Sequence, residues 1–476
     1  MNHTKFVSPL CVDLDGTLIH SDLLLETFLL LLKRNPLYLL LIPFWIMKGK
    51  AALKAEIAKR ISLNPAALPY NTEFLAYLNS QRNAGRVLWL CTASNFRLAH
   101  QVAEHLKIFY GVLASTDDIN LSGGTKAKRL VEEFGERGFD YCGNHRNDLA
   151  IWDVSQCAVV VNGSEKLKKK VELLAEISSI FPKAGGLVGP TLKALRLHQW
   201  GKNILIFVPL VAAHKLGDTA YVHHAIVAFI AFGFTASSAY LLNDMLDLEV
   251  DRLHPRKCKR PFASGKLSLL IGFALIPILL LCTAFLAFSL SIMFCFVLLG
   301  YYTLTNVYSF GLKRVVLIDT ITLAGLYTMR IIAGAIAIDV TISFWLFLFS
   351  MFLFLSLAFV KRYTELDAMK RQGKLKAAGR GYHVDDLPIL CNMGMGSGYI
   401  CVLILALYIN SPIVASSYRH SQVIWFLCVL LLFWISRVWL ISHRGKMHDD
   451  PIIFVMKDKT SLFIGLLSII TVILAV

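Results

Sequence analysis

The sequence predicts a multi-domain chain in which an N-terminal α/β domain with a helical cap precedes an all-α membrane domain with nine transmembrane helices. Three observations carry this expectation. The 476 residues are 56% hydrophobic with a mean hydropathy of +0.59, too apolar for a soluble protein and long enough for two or three domains. The first third contains short apolar, strand-like runs that end in acidic or hydroxyl residues. Beyond about residue 196 the chain becomes a series of apolar runs separated by loops that are alternately basic and charge-poor.

The formal charge of +16 could suggest nucleic acid, but the basic residues gather between apolar spans, where they set topology and bind phosphate groups. The ten Cys show no zinc, iron–sulfur or disulfide spacing and read as small buried hydrophobes. Met1 to Pro9 lacks the basic start and apolar run of a signal peptide, so the first domain is expected to stay in the cytosol.

Lys5 to Leu14 reads as a short buried strand, Phe6-Val7 and Leu10-Cys11-Val12, ending in Asp13-Leu14-Asp15-Gly16-Thr17. Val87 to Thr92 is a second apolar strand ending in a hydroxyl residue. Lys126 follows in Gly124-Thr125-Lys126-Ala127, and Tyr141-Cys142-Gly143-Asn144 leads to Asp148. In this order the motifs resemble those of the haloacid dehalogenase phosphatase superfamily, which implies a Rossmannoid α/β fold. On that resemblance Asp13 attacks phosphorus, while Asp15 protonates the leaving oxygen and later activates water. Thr92 matches the phosphate-binding hydroxyl and Lys126 the lysine that neutralises phosphate and nucleophile. Mg²⁺ would be held by Asp13, the Asp15 carbonyl and Asp148. The departure is Asn144, which stands where the family's metal loop has its first Asp. His145 reads as a loop residue.

Between the first and second motifs, about residues 20 to 80, lies a helical insert of the kind such enzymes use as a cap. Its runs Leu23–Leu25, Phe28–Leu32 and Leu37–Met47 are very apolar, yet Lys33-Arg34-Asn35-Pro36 and Pro43 keep them too short to span a bilayer. The insert is either a buried pair of cap helices or a cap lying in the membrane interface, with Lys33, Arg34, Lys48 and Lys50 near lipid phosphates. The second reading suits a lipid-borne substrate.

These signals divide the chain into residues 1–182, a Gly- and Pro-containing linker at 183–195, and a membrane domain at 196–476. Nine apolar spans follow at about 203–217, 222–242, 267–286, 288–307, 316–337, 342–360, 394–411, 421–441 and 460–476. If the first domain is cytosolic, so are the loops after the second, fourth, sixth and eighth spans. Those loops hold the charge: Arg252 to Lys266, Lys313 and Arg314, Lys361 to Arg380 including Lys374 and Lys376, and Arg444 to Lys459. Lys215 and Arg419 are nearly all that the opposite side shows. The asymmetry follows the positive-inside rule, predicts the C-terminus outside, and makes nucleic acid an unnecessary partner.

Asn243 to Asp251 lies where the second span meets the cytosol. Asp244, Asp247 and Asp251 are spaced i, i+3, i+7 and share one face if the segment is helical. Three like charges there either form a solvated acidic helix end or hold a hard divalent cation such as Mg²⁺ shared with substrate phosphates. The basic stretch Arg252, His254, Arg256, Lys257, Lys259 and Arg260 follows, as a site for a soluble diphosphate requires. His254 is expected to orient the loop.

Asn243, Asp244, Asp247 and Asp251 resemble the first aspartate motif of the UbiA-type intramembrane prenyltransferase superfamily, which is all-helical with nine spans. Tyr308, Lys313 and the single Asp319 resemble its decaprenyl-phosphate phosphoribosyltransferase branch, as do Arg196, Gln199-Trp200, Lys202-Asn203, Lys361-Arg362-Tyr363 with Glu365, and Asp449-Asp450-Pro451 with Phe454. Leu197 departs from that branch, which tends to have Pro there. The resemblance implies transfer of 5-phosphoribose from phosphoribosyl pyrophosphate to a membrane polyprenyl phosphate in a bacterial inner membrane. Mg²⁺ on Asp244, Asp247 and Asp251 would carry the diphosphate, with Asn243, Arg252, Lys257 and Arg260 around it; Tyr308 is a further substrate-binding candidate or an interfacial aromatic anchor. Asp319 would contact metal or ribose; Lys313, Lys361 and Arg362 the 5-phosphate or lipid phosphate; Lys202 the lipid head group. The fused phosphatase-like domain would then remove the 5-phosphate. Two alternatives are a polyprenyl diphosphate-dependent transferase acting on an aromatic or other small acceptor, which calls for a second paired-aspartate motif, and a non-catalytic scaffold or transporter. Polyprenyl length and oligomeric state are not legible.

Overall fold

The computed structural model describes residues 8–183, 185–373, 380–411, 420–447 and 451–475. Phe6, Val7, Ala184, Lys374, Lys376, Arg419, Asp449 and Asp450 lie outside the described residues. The chain forms two compact units, Met1–Arg196 with Tyr240–Pro277, and Leu197–Ala239 with Ile278–Val476. The acidic stretch thus belongs to the same unit as the α/β domain.

That domain is built on β1 (Leu10–Val12), β2 (Leu88–Asn95), β3 (Gly111–Ser115), β4 (Asp140–Gly143), β5 (Cys157–Val161) and β6 (Glu176–Phe181), a wholly parallel sheet in the order β3-β2-β1-β4-β5-β6. Successive side chains of β1 feed opposite faces: Leu10 and Val12 join an apolar cluster with Leu88, Leu90 and Phe74, while Cys11 joins another with Cys91, Tyr141 and Trp152. A parallel sheet needs both faces covered, and these two clusters cover them. Strand order reverses at β1, so a crevice opens past the carboxyl ends of β1 and β4. Asp13 and Asn144 stand at those ends.

The insert comprises α1 (Leu23–Arg34), α2 (Ile42–Met47), α3 (Lys50–Ala58) and α4 (Thr72–Asn83). Asp22 caps α1 by accepting from the Leu25 amide, and Asn35 with Pro36 ends it. The insert is part buried and part exposed. Leu31, Trp45 and Ile57 pack together, yet Leu37, Leu40, Phe44 and Met47 are 69%, 70%, 62% and 85% exposed.

Seven helices are long and apolar enough to cross a membrane, among the described residues, against the nine expected. Continuing the numbering from α5 (Phe96–Leu106), α6 (Gly124–Phe134), α7 (Leu149–Trp152), α8 (Glu165–Val171), α9 (Val188–Leu195) and α10 (Val208–Ala212), they are α11 (Thr219–Leu246), α13 (Leu269–Leu290), α14 (Ile292–Phe310), α15 (Ile318–Ala337), α16 (Phe344–Arg371), α17 (Leu387–Ile409) and α18 (Phe426–His443). The short α12 (Leu248–Arg252) lies between α11 and α13. The first expected span instead runs as a tightly wound 3₁₀ helix, Leu197–Phe207, followed by α10. At a 3₁₀ rise of about 2 Å per residue the 11-residue run covers about 22 Å, and α10 adds about 8 Å. Gly334 of α15 lets it pack closely, since a Cβ there would lie 2.0 Å from the Ile206 carbonyl oxygen. The last expected span is a 17-residue apolar helix, Lys459–Ala475.

Candidate active sites

In the α/β domain Asp13 leaves β1 at the crevice and accepts from Lys126 Nζ at 2.8 Å. Lys126, carried by α6, also donates to the Cys91 carbonyl and the Tyr141 hydroxyl, and all of these groups are buried. Asp15 accepts from the Leu23 amide at 2.6 Å and the Ser94 hydroxyl at 2.8 Å. The Thr92 hydroxyl accepts from the Ser94 amide. Burial raises Asp13 to about 6 against the lowering effect of Lys126, and burial with the charges of Asp22 and Asp13 raises Asp15 to about 7. Burial would lower the Lys126 ammonium, but Asp13 and Asp148 hold it above its usual value. The pair is therefore a carboxylate beside a fixed cation and a second carboxyl group able to keep its proton near neutrality. Gly16, at φ +72°, makes the turn; a Cβ there would lie 1.9 Å from the Asn144 amide nitrogen, so Asn144 packs directly on this loop. Asp148 accepts from the amides of Asn144 and His145 and from Tyr141. His145 caps its turn, as a loop residue should.

The acidic stretch departs from one continuous helical face. α11 ends at Leu246, and Asp247 sits between it and α12 with φ −97° and ψ 13°, so the i, i+3, i+7 register is broken at its middle member. Asp244 and Asp251 still converge, because Arg260 Nη1 lies 3.0 Å from one and 2.5 Å from the other. Arg196 adds a 2.5 Å contact to Asp244. Asp247 turns away to Lys33, 3.4 Å distant. Asn243 accepts the Asp247 amide through its carbonyl, and Lys257 is exposed. His254 orients the loop by accepting from the amides of Arg256 and Lys257. Arg252, expected to touch substrate, is instead occupied by Glu26 and two carbonyls.

Among the described residues no three acidic, His or Cys side chains converge as a metal cage. Mg²⁺ commonly binds through one or two carboxylates and completes its shell with water and substrate phosphate oxygens. Asp244 with Asp251, and Asp13 with Asp148 and the Asp15 carbonyl, are oxygen-only sets of that kind.

In the other unit Asp319 is fully buried. Its carboxylate receives both Nε and Nη2 of Arg362, Arg380 at 3.3 Å and the Tyr308 hydroxyl at 2.8 Å. Glu365 holds the far sides of Arg362 and Arg380. Asp319, expected to meet metal or ribose, has its carboxylate engaged by Arg362, Arg380 and Tyr308. Lys313 and Lys361 are partly exposed. Lys202 is buried, with its ammonium 5.8 Å from the Tyr327 ring centre.

Two residues escaped the sequence reading. Arg380 was visible only as one more basic loop residue. Arg330 is buried on α15, donating to the Asn203 side chain, the Leu326 carbonyl and the Tyr301 hydroxyl, among the rings of Phe232, Tyr301 and Tyr327. A lone Arg inside an apolar span is itself a functional signal, and it was available.

A family model described as the UbiA prenyltransferase family matches residues 204–464, and one described as haloacid dehalogenase-like hydrolase matches residues 10–152. The chain is 38% identical over 462 residues to the uncharacterized protein y4nM of Sinorhizobium fredii, covering 96% of this chain and 89% of the relative. It is 34% identical over 270 residues to the nodulation protein NoeC of Azorhizobium caulinodans, with coverages of 57% and 88%. It is 29% identical over 287 residues to a decaprenyl-phosphate phosphoribosyltransferase of Mycolicibacterium smegmatis, with coverages of 58% and 90%.

Proposed function

The chain belongs to the UbiA prenyltransferase family and carries an N-terminal haloacid dehalogenase-like domain, and from that premise we propose that it moves 5-phosphoribose from phosphoribosyl pyrophosphate onto a membrane polyprenyl phosphate and then removes the 5-phosphate. The observation that carries this reading is the state of Asp319. A transferase that loads an isoprenoid diphosphate through a second metal requires free carboxylates in its second motif. Asp319 is spent on Arg362, Arg380 and Tyr308, and the cation the cluster leaves within reach of a ligand is Arg380, 21% exposed and suited to a phosphate monoester. The M. smegmatis relative supports the same acceptor and transferred group.

Transfer needs no side-chain base, because the attacking phosphate is already ionised. Its oxygen bonds to the anomeric carbon as the bond from that carbon to pyrophosphate breaks, and both electrons leave with pyrophosphate. Mg²⁺, when bound, neutralises the diphosphate and the charge growing on the leaving group. Asp244 and Asp251 hold that charge in place, while Arg196 and Arg260 steady the remaining phosphate oxygens. Lys202 binds the lipid phosphate, and Lys313, Lys361 and Arg380 bind phosphate monoester groups, with Arg362 holding Asp319 behind them.

For the second step Asp13 attacks phosphorus and Asp15 gives its proton to the departing 5-oxygen of the ribose. Asp15 then takes a proton from the water that splits the aspartyl phosphate, releasing inorganic phosphate. The exposed apolar face of the insert suits a substrate that never leaves the lipid. Carrying both sites on one chain raises the effective concentration of the second. Both sites are placed on the cytosolic face of a bacterial inner membrane, where the soluble donor is found.

Purified protein given labelled donor and polyprenyl phosphate in Mg²⁺ is expected to release pyrophosphate and inorganic phosphate. With Asp13→Asn the inorganic phosphate is lost and mass spectrometry finds the lipid still bearing its 5-phosphate. Pyrophosphate without inorganic phosphate from the wild type defeats the two-step reading. Transfer of the isoprenoid instead of the ribose defeats both steps.

A further inference from the structure

The salt bridge between Glu26 and Arg252 joins the cap of the phosphatase-like domain to the metal motif of the transferase, two elements within one compact unit. Glu26 is an acid inside the Leu-rich α1. Arg252 ends α12 and directly follows Asp251. The contact is bidentate, Nη1 to Oε2 at 2.9 Å and Nη2 to Oε1 at 2.5 Å, with the two side chains 8% and 6% exposed. The same guanidinium donates to the carbonyls of Ala67 in the insert and Ala263 beyond Arg260.

α1 grips the other end of α12 as well, through Lys33 and Asp247. Glu26 and Lys33 are seven residues apart, two turns and about 10 Å along one face of α1. Around these pairs the Phe28 and Phe273 rings pack at 5.8 Å. Gly265, at φ +72°, lies so close that a Cβ there would be 2.4 Å from the His20 Cβ. At its first residue the same 12-residue helix donates the Leu23 amide to Asp15.

We propose that Glu26, though part of the phosphatase-like domain, is a positioning residue for the transferase: by fixing Arg252 it sets α12, and with it Asp251, for metal and diphosphate. The inference rests on the reading of Asp244 and Asp251 as the diphosphate site. Removing the Glu26 charge leaves a buried guanidinium without its carboxylate, one residue from Asp251. Arg252 then competes with the metal for that carboxylate. Groups that orient metal ligands typically alter metal affinity by about 10- to 100-fold when removed.

The test uses the full-length chain in detergent, titrated calorimetrically with pyrophosphate at a series of Mg²⁺ concentrations; binding abolished by Asp244→Asn defines the transferase site. Glu26→Gln is expected to raise the Mg²⁺ needed for half-maximal pyrophosphate binding by about 10- to 100-fold. Hydrolysis of a soluble phosphomonoester stays at the wild-type rate, reporting an intact phosphatase-like domain. Arg252→Lys, which keeps the charge but loses the bidentate geometry, should raise the requirement about tenfold. The exchanged pair Glu26→Arg with Arg252→Glu should bring it back toward wild type. Unchanged Mg²⁺ demand in both Glu26→Gln and Arg252→Lys overturns the positioning role while leaving the transferase reading standing. Absence of Asp244-dependent pyrophosphate binding in the wild type removes both.

Discussion

Asp244 and Asp319 are both buried carboxylates on membrane helices, and both are answered by arginines, but the arginines are of two kinds. Arg196 and Arg260, beside Asp244, keep 20% and 26% of their side chains exposed and come from the linker end and a loop. Arg362, which meets Asp319 through two nitrogens, is 1% exposed and fixed on the neighbouring helix α16, and the 21% exposed Arg380 only completes that site from outside. A carboxylate whose counter-ions reach water can trade them for a metal and its diphosphate. One sealed against a guanidinium cannot, because the exchange would strand a charge in low dielectric. Two aspartates that look alike in sequence are therefore suited to opposite work on the proposed reading: Asp244 to receive a cation, and Asp319 to hold arginines in place.

The most severe test of this contrast is Asp244→Asn, expected to lower pyrophosphate release by about a hundredfold or more as transition-state charge loses its metal. A near-normal rate would erase the distinction. Asp319→Asn should act on stability first: breaking a buried ion pair costs about 3–5 kcal/mol, seen as a clear fall in the melting temperature of the detergent-solubilised protein. Metal-dependent pyrophosphate binding should survive in whatever fraction stays folded, and its selective loss with unchanged melting would return Asp319 to the metal ligands. Arg380→Gln, which removes a partly exposed guanidinium, should raise KM for the donor about tenfold with a smaller change in kcat. The smallest effect is expected in the N-terminal site, which combines a sealed Asp13–Lys126 pair with the protonatable Asp15. On the proposed reading Asp15, raised to about 7, acts in its protonated form, so phosphomonoester hydrolysis should fall as pH rises through that value. Between about pH 6.5 and 8 the loss should be several-fold. A flat profile over that range would show that another group supplies the proton.

The division into a strand-and-loop domain and a membrane domain was legible because it rests on chain-local quantities: apolar runs, the Asp-x-Asp turn after β1, and loop charge. The span count was less so. Leu197–Phe207 winds as a 3₁₀ run, whose length residue number underestimates. The i, i+3, i+7 spacing of the carboxylates suggested one face, but the chain breaks at Asp247, where Lys33 draws that side chain away. Glu26 carries no signal of its role in the sequence, since its partner lies 226 residues further on.

By itself the sequence determined which chemistry each region could perform, because nucleophile, acid, metal carboxylate and membrane span depend on residue type and short spacing. Tertiary structure alone decided which of those charges are spent on one another. Arg252 is held by Glu26 and Asp319 by Arg362, while Asp244 and Asp251 share Arg260 at the water's edge. Pairing and burial depend on distance through space, and a linear order of residues does not contain it.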